Sequence, residues 1–591
     1  MKRKNSKAVA GSGKLRPSLL ALAVSQMLTM PVSNAATINV TTASTNPNSG
    51  CTLNEAIITA NDDTNTGGCS RSGNLGNTAD TIVLPNNAVI SFAAGSSSGP
   101  GNVSTATPFV GSNITIEGNG STIERSQATT NLFRLFTVFT KDVDNYQGQL
   151  TIKDLTIQNG YLEANGGAIY VLGQLDLENT TISSNTSTQA TEGGGAIFVR
   201  GSDNSFTSVN SSVTAIDSTI SSNTAAQKGG GILAEANTTI VLINSTVSGN
   251  SVNSRGGGIW AFDSSVRLSN STVSGNSTRT RGGGIYARDR SSISLNNSTV
   301  SANSANETAG GIFSSRFSSV SLNNSTVSGN SAYNVGGIFA QVRSSVTLRN
   351  STISGNSAAE HSGGLMATGY SSISLNNSTV SGNSAVYGGG IYVSSSSVSL
   401  SNSTLSGNSA VSGGGIYALS DGTGSSVALS NSTVAGNSAM SGAGGGIYVG
   451  RGSVSLTNSI VANSLNGGDC LISSTSVTIT ANEHNIIEDG TCGTNALSVD
   501  PRLGPLQDNG GRTQTHALLA NSPAINAGDN AFCAAQPINR LDQRGFQHVG
   551  ICDIGSYEYN SPGPPLPPPP PPFEPATIVP PIMLLLDDEE S

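Results

Sequence analysis

One octet recurs along this chain with small changes: NNSTVSAN at 296–303 and NNSTVSGN at 323–330. Aligned on the Asn or Asp that heads it, the repeat runs through Asp154, Asn179, Asp217, Asn244, Asn270, Asn297, Asn324, Asn350, Asn377, Asn402, Asn431 and Asn458. The steps are 25 to 29 residues, except for a step of 38 between Asn179 and Asp217 that implies an inserted loop. Self-similarity at such a period means stacked units, each burying its apolar face only against its neighbours.

Each unit reads roughly S-V-S-L-x-N-S-T-V-S-G-N-S-A, then a variable turn, then G-G-G-I-Y-A. No helical stripe runs through it, whereas stretches such as Ser292-Ile293-Ser294-Leu295 alternate with the period of two expected of strands. The unit is too short for a propeller blade of about 40 residues and fits one coil of a parallel β-helix. The expected fold is all-β, a single-stranded right-handed parallel β-helix (solenoid) of about 12 coils; at about 4.8 Å per coil the rod spans roughly 58 Å. With 71 Gly in 591 residues and 11% charged residues against a usual 25% or so, the composition is strand- and turn-rich.

Stacking places like residues above like. Asn250, Asn276, Asn303, Asn330, Asn356, Asn383, Asn408, Asn437 and Asn463 are expected to form an amide ladder, as in cross-β stacks. Val247, Val273, Val300, Val327, Ile353, Val380, Leu405 and Val434 form an aliphatic column beside it. The Asn-Ser-Thr triplets also match a glycan-acceptor pattern, which applies if the host glycosylates exported chains. The triple glycines, as at Gly282 to Gly284, supply a corner that leaves no room for a Cβ.

After each glycine corner an aliphatic residue precedes a bulky one: Tyr170, Phe198, Trp260, Tyr286, Phe313, Phe339, Met366, Tyr392, Tyr417 and Tyr448. Alternation points the aliphatic residue inward and the bulky one outward. The plain reading is that each ring covers its neighbour's edge and its glycine corner. The functional reading is an apolar stripe that stacks on sugars or meets a protein, with Trp260, Tyr286, Phe313, Phe339, Tyr392, Tyr417 and Tyr448 as candidate binding residues.

Between 228 and 349 there are ten basic and four acidic residues, an excess of +6 in an acidic chain. Lys228, Arg255 and Arg281 occupy the same position before the glycine corner in successive coils. They are candidates to hold an anionic glycan, the alternative being solvated edges.

A β-helix lyase or hydrolase needs clustered carboxylates for a cation or for acid–base work. The coils from Asp217 to Asn463 carry few acids, and His361 is their only histidine. No catalytic residue, metal site or cofactor is expected. A polysaccharide-degrading enzyme with its site in the irregular 70–150 segment and the 186–216 insertion is the rival reading, and a purely structural surface component a third.

Residues 1–35 have the make-up of an export signal: six basic residues, an apolar stretch from Leu19 to Met30, and Ser33-Asn34-Ala35. Removing them takes the net charge from -9 to -15, which disfavours nucleic acid as a partner. In an exported chain Cys51 and Cys69, Cys470 and Cys492, and Cys533 and Cys552 are expected to form disulfides, paired by proximity among 15 possible connectivities.

Three stretches resemble known families. Cys51-Thr52-Leu53-Asn54-Glu55-Ala56 resembles the CSLREA motif of bacterial surface β-helix proteins, with Asn54 where that pattern has Arg. Gly166-Gly167-Ala168-Ile169 and Val327-Ser328-Gly329-Asn330 are similar to the GGAI and FxxN signatures of polymorphic outer-membrane protein repeats, with Val in place of Phe. Asp500 to Leu506, Asn509 to His516, Ser522 to Gly528, Asp542 to Gly545 and Cys552 to Glu558 resemble a choice-of-anchor Q domain. In that domain Arg512, His516 and Asp542 are read as capping contacts rather than an active site. These resemblances imply a bacterial, secreted or cell-surface protein, an adhesin or glycan/protein-binding rod whose partners are surface glycans or host or cell-surface proteins. The expected layout is a signal peptide (1–35), an N-terminal cap (36–150), the β-helix (151–465), a C-terminal cap (466–559), and a proline-rich linker and tail (560–591) without a membrane span.

Overall fold

The computed structural model describes residues 36–563, apart from 48, 73–78, 100–102, 140–147, 202–209, 421–423, 482–483 and 493–495. The expected signal peptide and the tail beyond 563 lie outside the described residues, as do parts of the 70–150 and 186–216 segments.

The chain winds as a parallel β-solenoid of about 12 turns. One coil shows the plan. Ser292–Asn296 and Thr299–Ser301 run in a 30-stranded sheet, Ser304–Ala305 in an 8-stranded sheet, and Ile312–Ser315 in a 13-stranded sheet. Each strand pairs in register with the same strand one repeat on: Ile293 with Val320, Val300 with Val327, Ile312 with Ile338. Inward residues such as Ile293, Leu295, Val300 and Ile312 are buried in one continuous core.

The residues heading each repeat are the corners. All twelve, from Asp154 through Asn458, have φ between 43° and 51°. Asn and Asp are the side chains that best tolerate this left-handed region, which explains their recurrence. The next residue turns inward: Ser271 N–H donates to Ser298 Oγ and Ser298 N–H to Ser325 Oγ, both at 3.1 Å. A second such ladder joins Ser264 to Ser291 and Ser318 to Ser344.

The amide ladder is present with one correction. Asn330 Oδ1 accepts from the N–H and Nδ2 of Asn303, and Asn330 Nδ2 donates to Asn356 Oδ1 and to the Val300 carbonyl, all at 2.9–3.0 Å. The ladder starts earlier than expected, at Asn185 and Asn223, and ends at Asn437. Asn463 is not in it: it is exposed, with φ 55°, on the left-handed corner that Gly436 occupies one coil earlier. A missing residue in that coil's motif shifts the register by one.

The middle glycine of each triplet is a close-approach site. A Cβ on Gly283 would lie 2.5 Å from the carbonyl oxygens of Gly310 and Ser304.

The ends depart from pure β structure. Helix α1 (Leu53–Asp62) was not foreseen; Thr52 caps it and Glu55 closes a capping box, a Thr-x-x-Glu signal visible in the sequence. Disulfides join Cys51 to Cys69, Cys470 to Cys492 and Cys533 to Cys552, the pairing expected from proximity.

The C-terminal segment lies along the flank of the rod as well as at its end. Gln514 meets Thr379, Gln543 bridges Thr379 and Thr404, Ser556 reaches Thr404 and Thr433, and Gly555 N–H donates to the Asn458 carbonyl. These threonines are fully buried, while Thr272, Thr299, Thr326 and Thr352 at the same position stay half-exposed.

Candidate binding surface

The outer face of the 13-stranded sheet brings the two candidate columns together. The aliphatic residue of each strand enters the main core and the bulky residue lies outside it, as alternation requires. The open stripe of the functional reading is not present, however. Phe198, Leu233, Trp260, Tyr286, Phe313, Phe339, Met366, Tyr392 and Tyr417 form a second closed cluster, only 0–9% exposed, with Tyr170 and Tyr448 partly buried at its edges. The rings lie on one another: Tyr286 and Phe313 centroids are 4.9 Å apart at 3°, Tyr417 and Tyr448 4.6 Å at 5°. The in-register coil pitch sets this spacing, so neighbouring rings cover much of one another, with Phe339 turned edge-on to Phe313 at 79°. Burial, with Tyr448 and Tyr392 alongside, pushes the Tyr417 hydroxyl up to about 12.

The cations form the lid of this stack. Lys228 Nζ sits 4.8 Å from the Trp260 ring, Arg255 5.7 Å from Tyr286 and Arg281 5.8 Å from Phe313, each cation over the ring one coil on. The quadrupole of the ring face attracts a cation, so the aromatic column positions the basic one. Backbone bridges pair Lys228 with Arg255 and Arg255 with Arg281. Lys228 pairs with Glu235 at 3.7 Å, and Arg281 approaches Glu307 at 3.9 Å. Arg255 has no carboxylate at that range among the described residues. All three stay partly exposed. Of the candidate binding residues, the cations are reachable from solvent, and Trp260, Tyr286 and Phe313 are their support.

The C-terminal titratable groups are structural. His516 Nδ1–H donates to the Gly504 carbonyl at 2.7 Å, its Nε2 lies 2.8 Å from Ser406 Oγ, and burial lowers its pKa. Asp542 takes a short ion pair from Arg544, whose guanidinium lies 3.6 Å over the Tyr557 ring. Arg512 is exposed. Cys533, His548 and Cys552 have donor atoms within 4.8 Å of one another, but both sulfurs are spent on a disulfide.

One set of exposed residues was not picked out from the sequence. The turn that follows each strand of the same sheet carries Arg290, Phe317, Arg343 and Tyr370 on four successive coils. The signal was available: each stands immediately before a Ser-Ser pair, at 291–292, 318–319, 344–345 and 371–372.

Among the described residues no helix is long and apolar enough to cross a membrane. No curated protein sequence matches the chain. The sequence model described as "Right handed beta helix region" matches residues 143–359, 258–434 and 310–484, which together span more than half of the chain. With coils stacked in register over that same span, the chain belongs to the right-handed β-helix family.

Proposed function

We propose that the chain is a non-catalytic rod, secreted or displayed on a bacterial surface, that binds surface glycans through cations arrayed along its coils. The observation that carries this reading is the Lys228, Arg255 and Arg281 column, seated on a buried aromatic stack and partly open to solvent. A rigid platform holds one positive group per coil without the entropy cost of ordering a loop. The export-like residues 1–35, the CSLREA-like start and the choice-of-anchor Q-like end support display outside the cell. Carboxylates close to a basic group in the first coils serve as its partners: Glu117 and Glu178 flank Lys153 at 3.6 and 3.4 Å.

The test is a glycan array probed with the whole chain and with a Lys228→Ala, Arg255→Ala, Arg281→Ala variant, alongside assays for new reducing ends and unsaturated sugars. Binding by the parent, loss in the variant and no product are expected. Sugar cleavage, or binding indifferent to all three substitutions, overturns the reading. Trp260 is the sole tryptophan, so a ligand that engages Lys228 shifts intrinsic fluorescence from a known ring.

A further inference from the structure

The corner after the strands of the 13-stranded sheet is a second, more exposed surface. Arg290, Phe317, Arg343 and Tyr370 stack on consecutive coils: Arg290 N–H donates to the Arg316 carbonyl, Phe317 N–H to that of Val342, and Arg343 N–H to that of Gly369. A cation and an aromatic ring therefore alternate at a pitch of about 4.8 Å. Phe317 is 59% exposed, Tyr370 64%, and the Arg290 side chain 76%. Arg343 lies 5.7 Å from the Phe317 ring.

These residues sit where other coils keep easier side chains. The four have φ between 56° and 64°, and the adjoining Arg316 and Val342 have 56° and 53°. Equivalent corners elsewhere use Asn237, Asp263 or Ser395. A left-handed backbone is strained for large side chains and most of all for β-branched valine, and such strain concentrates at functional sites. Neither burial nor packing explains the choice of Phe, Val and Tyr, because all three project into solvent.

We infer that this ridge binds a linear acidic polysaccharide, with sugar faces on Phe317 and Tyr370 and carboxylate or sulfate groups on Arg290 and Arg343. The inference rests on the glycan-binding reading above and names a ligand class and a separate set of contacts. Guanidinium forks match such anions in bidentate geometry, and amphipathic rings suit the apolar face of a sugar. A peptide is disfavoured because the ladder consumes the backbone N–H groups of this corner, leaving no strand edge there to extend. Asp263 and Asp289 pair with Arg290 and Arg316 at 3.5 and 3.8 Å, while Arg343 has no carboxylate at that range among the described residues.

The experiment measures retention of the full chain on immobilised heparin fragments, uncharged dextran and poly-L-glutamate. Two double variants accompany it: Arg290→Ala with Arg343→Ala, and Phe317→Asn with Tyr370→Asn. Asn suits the left-handed corner, so the second variant is expected to melt no lower than the parent while losing at least tenfold in heparin affinity. The Arg variant is expected to lose as much, and dextran is not retained. Unchanged affinity in either double variant overturns the inference. So does poly-L-glutamate bound as tightly as heparin with the aromatic variant silent, which marks simple charge attraction. If binding instead disappears only with Lys228, Arg255 and Arg281 replaced, the ridge fails and the broader reading stands. A parent that binds no glycan at all overturns both.

Discussion

Replacing Asn330 by leucine removes one rung of the amide ladder while keeping the branched shape and the number of heavy atoms of the side chain. Asn330 is fully buried and joins four groups: the Asn303 N–H at 2.9 Å, Asn303 Nδ2 at 3.0 Å, the Val300 carbonyl at 3.0 Å and Asn356 Oδ1 at 2.9 Å. Each orphaned buried group costs about 1–3 kcal/mol, so the expected loss is roughly 4 kcal/mol or more even after partial relaxation. Ser298→Ala is the graded control: Ser298 Oγ accepts from Ser271 N–H and donates to the Asn296 carbonyl, so two groups are orphaned and about half the loss is expected. Stacked repeats unfold with limited cooperativity, so the effect is read locally, by hydrogen exchange of the Asn303 amide together with a urea titration. Asn303 and its coil are expected to lose protection while coils near Thr404 keep theirs. A destabilisation below about 1 kcal/mol with Asn303 still protected would refute the claim that the ladder holds the coils together.

Three further outcomes follow from the same geometry. Gly283→Ala is expected to disrupt local stacking, because its Cβ meets two carbonyl oxygens at 2.5 Å; Gly329→Ala, with φ +62 and nothing nearer than 3.9 Å, is expected to cost only about 1–2 kcal/mol by thermal melting. Phe313→Ala is expected to cost about 3–5 kcal/mol and to loosen Arg281 above it, seen as faster proteolysis near residue 281. Burial pushes the Glu558 carboxyl up to about 7 from an ordinary 4.5, against backbone N–H donors from Asp553 and Val549. Its folded form holds a proton that the unfolded chain has released, so the C-terminal segment is expected to lose stability as pH rises from about 4.5 to 7. Glu558→Gln flattens that slope in pH-dependent melting.

The repeat made the architecture legible because each coil is specified by the same few letters. The corner asparagines, the inward valines and the glycine triplets each have one physical reason, and all appear where alignment puts them. Asn463 shows how this fails: one deleted residue moved an asparagine from the ladder to the corner, a change marked in the sequence only by a spacing of five from Asn458 where Asn437 stands six from Asn431. Parity correctly sent Trp260 and Tyr286 outside the main core but said nothing of the rings stacked above and below that bury them. Whether an outward face is open depends on its neighbours in three dimensions. The ridge from Arg290 to Tyr370 stands seven residues before the head of each octet, at 297, 324, 350 and 377, but its letters change from coil to coil, so no repeated residue type marks it. The flank contacts of Gln543 and Ser556 join residues more than a hundred positions apart, a separation that local patterns do not encode.

The C-terminal segment's grip on the flank has a mechanical consequence. Gln514, Gln543, Ser556 and Gly555 fasten it to four coils in succession, from Thr379 to Asn458, along the axis of the rod. Tension entering the chain at Asn560 and directed along that axis is shared by all of these attachments at once, as in shear. A pull perpendicular to the axis breaks them one after another, like a zip, so the joint resists force in one direction and yields in the other.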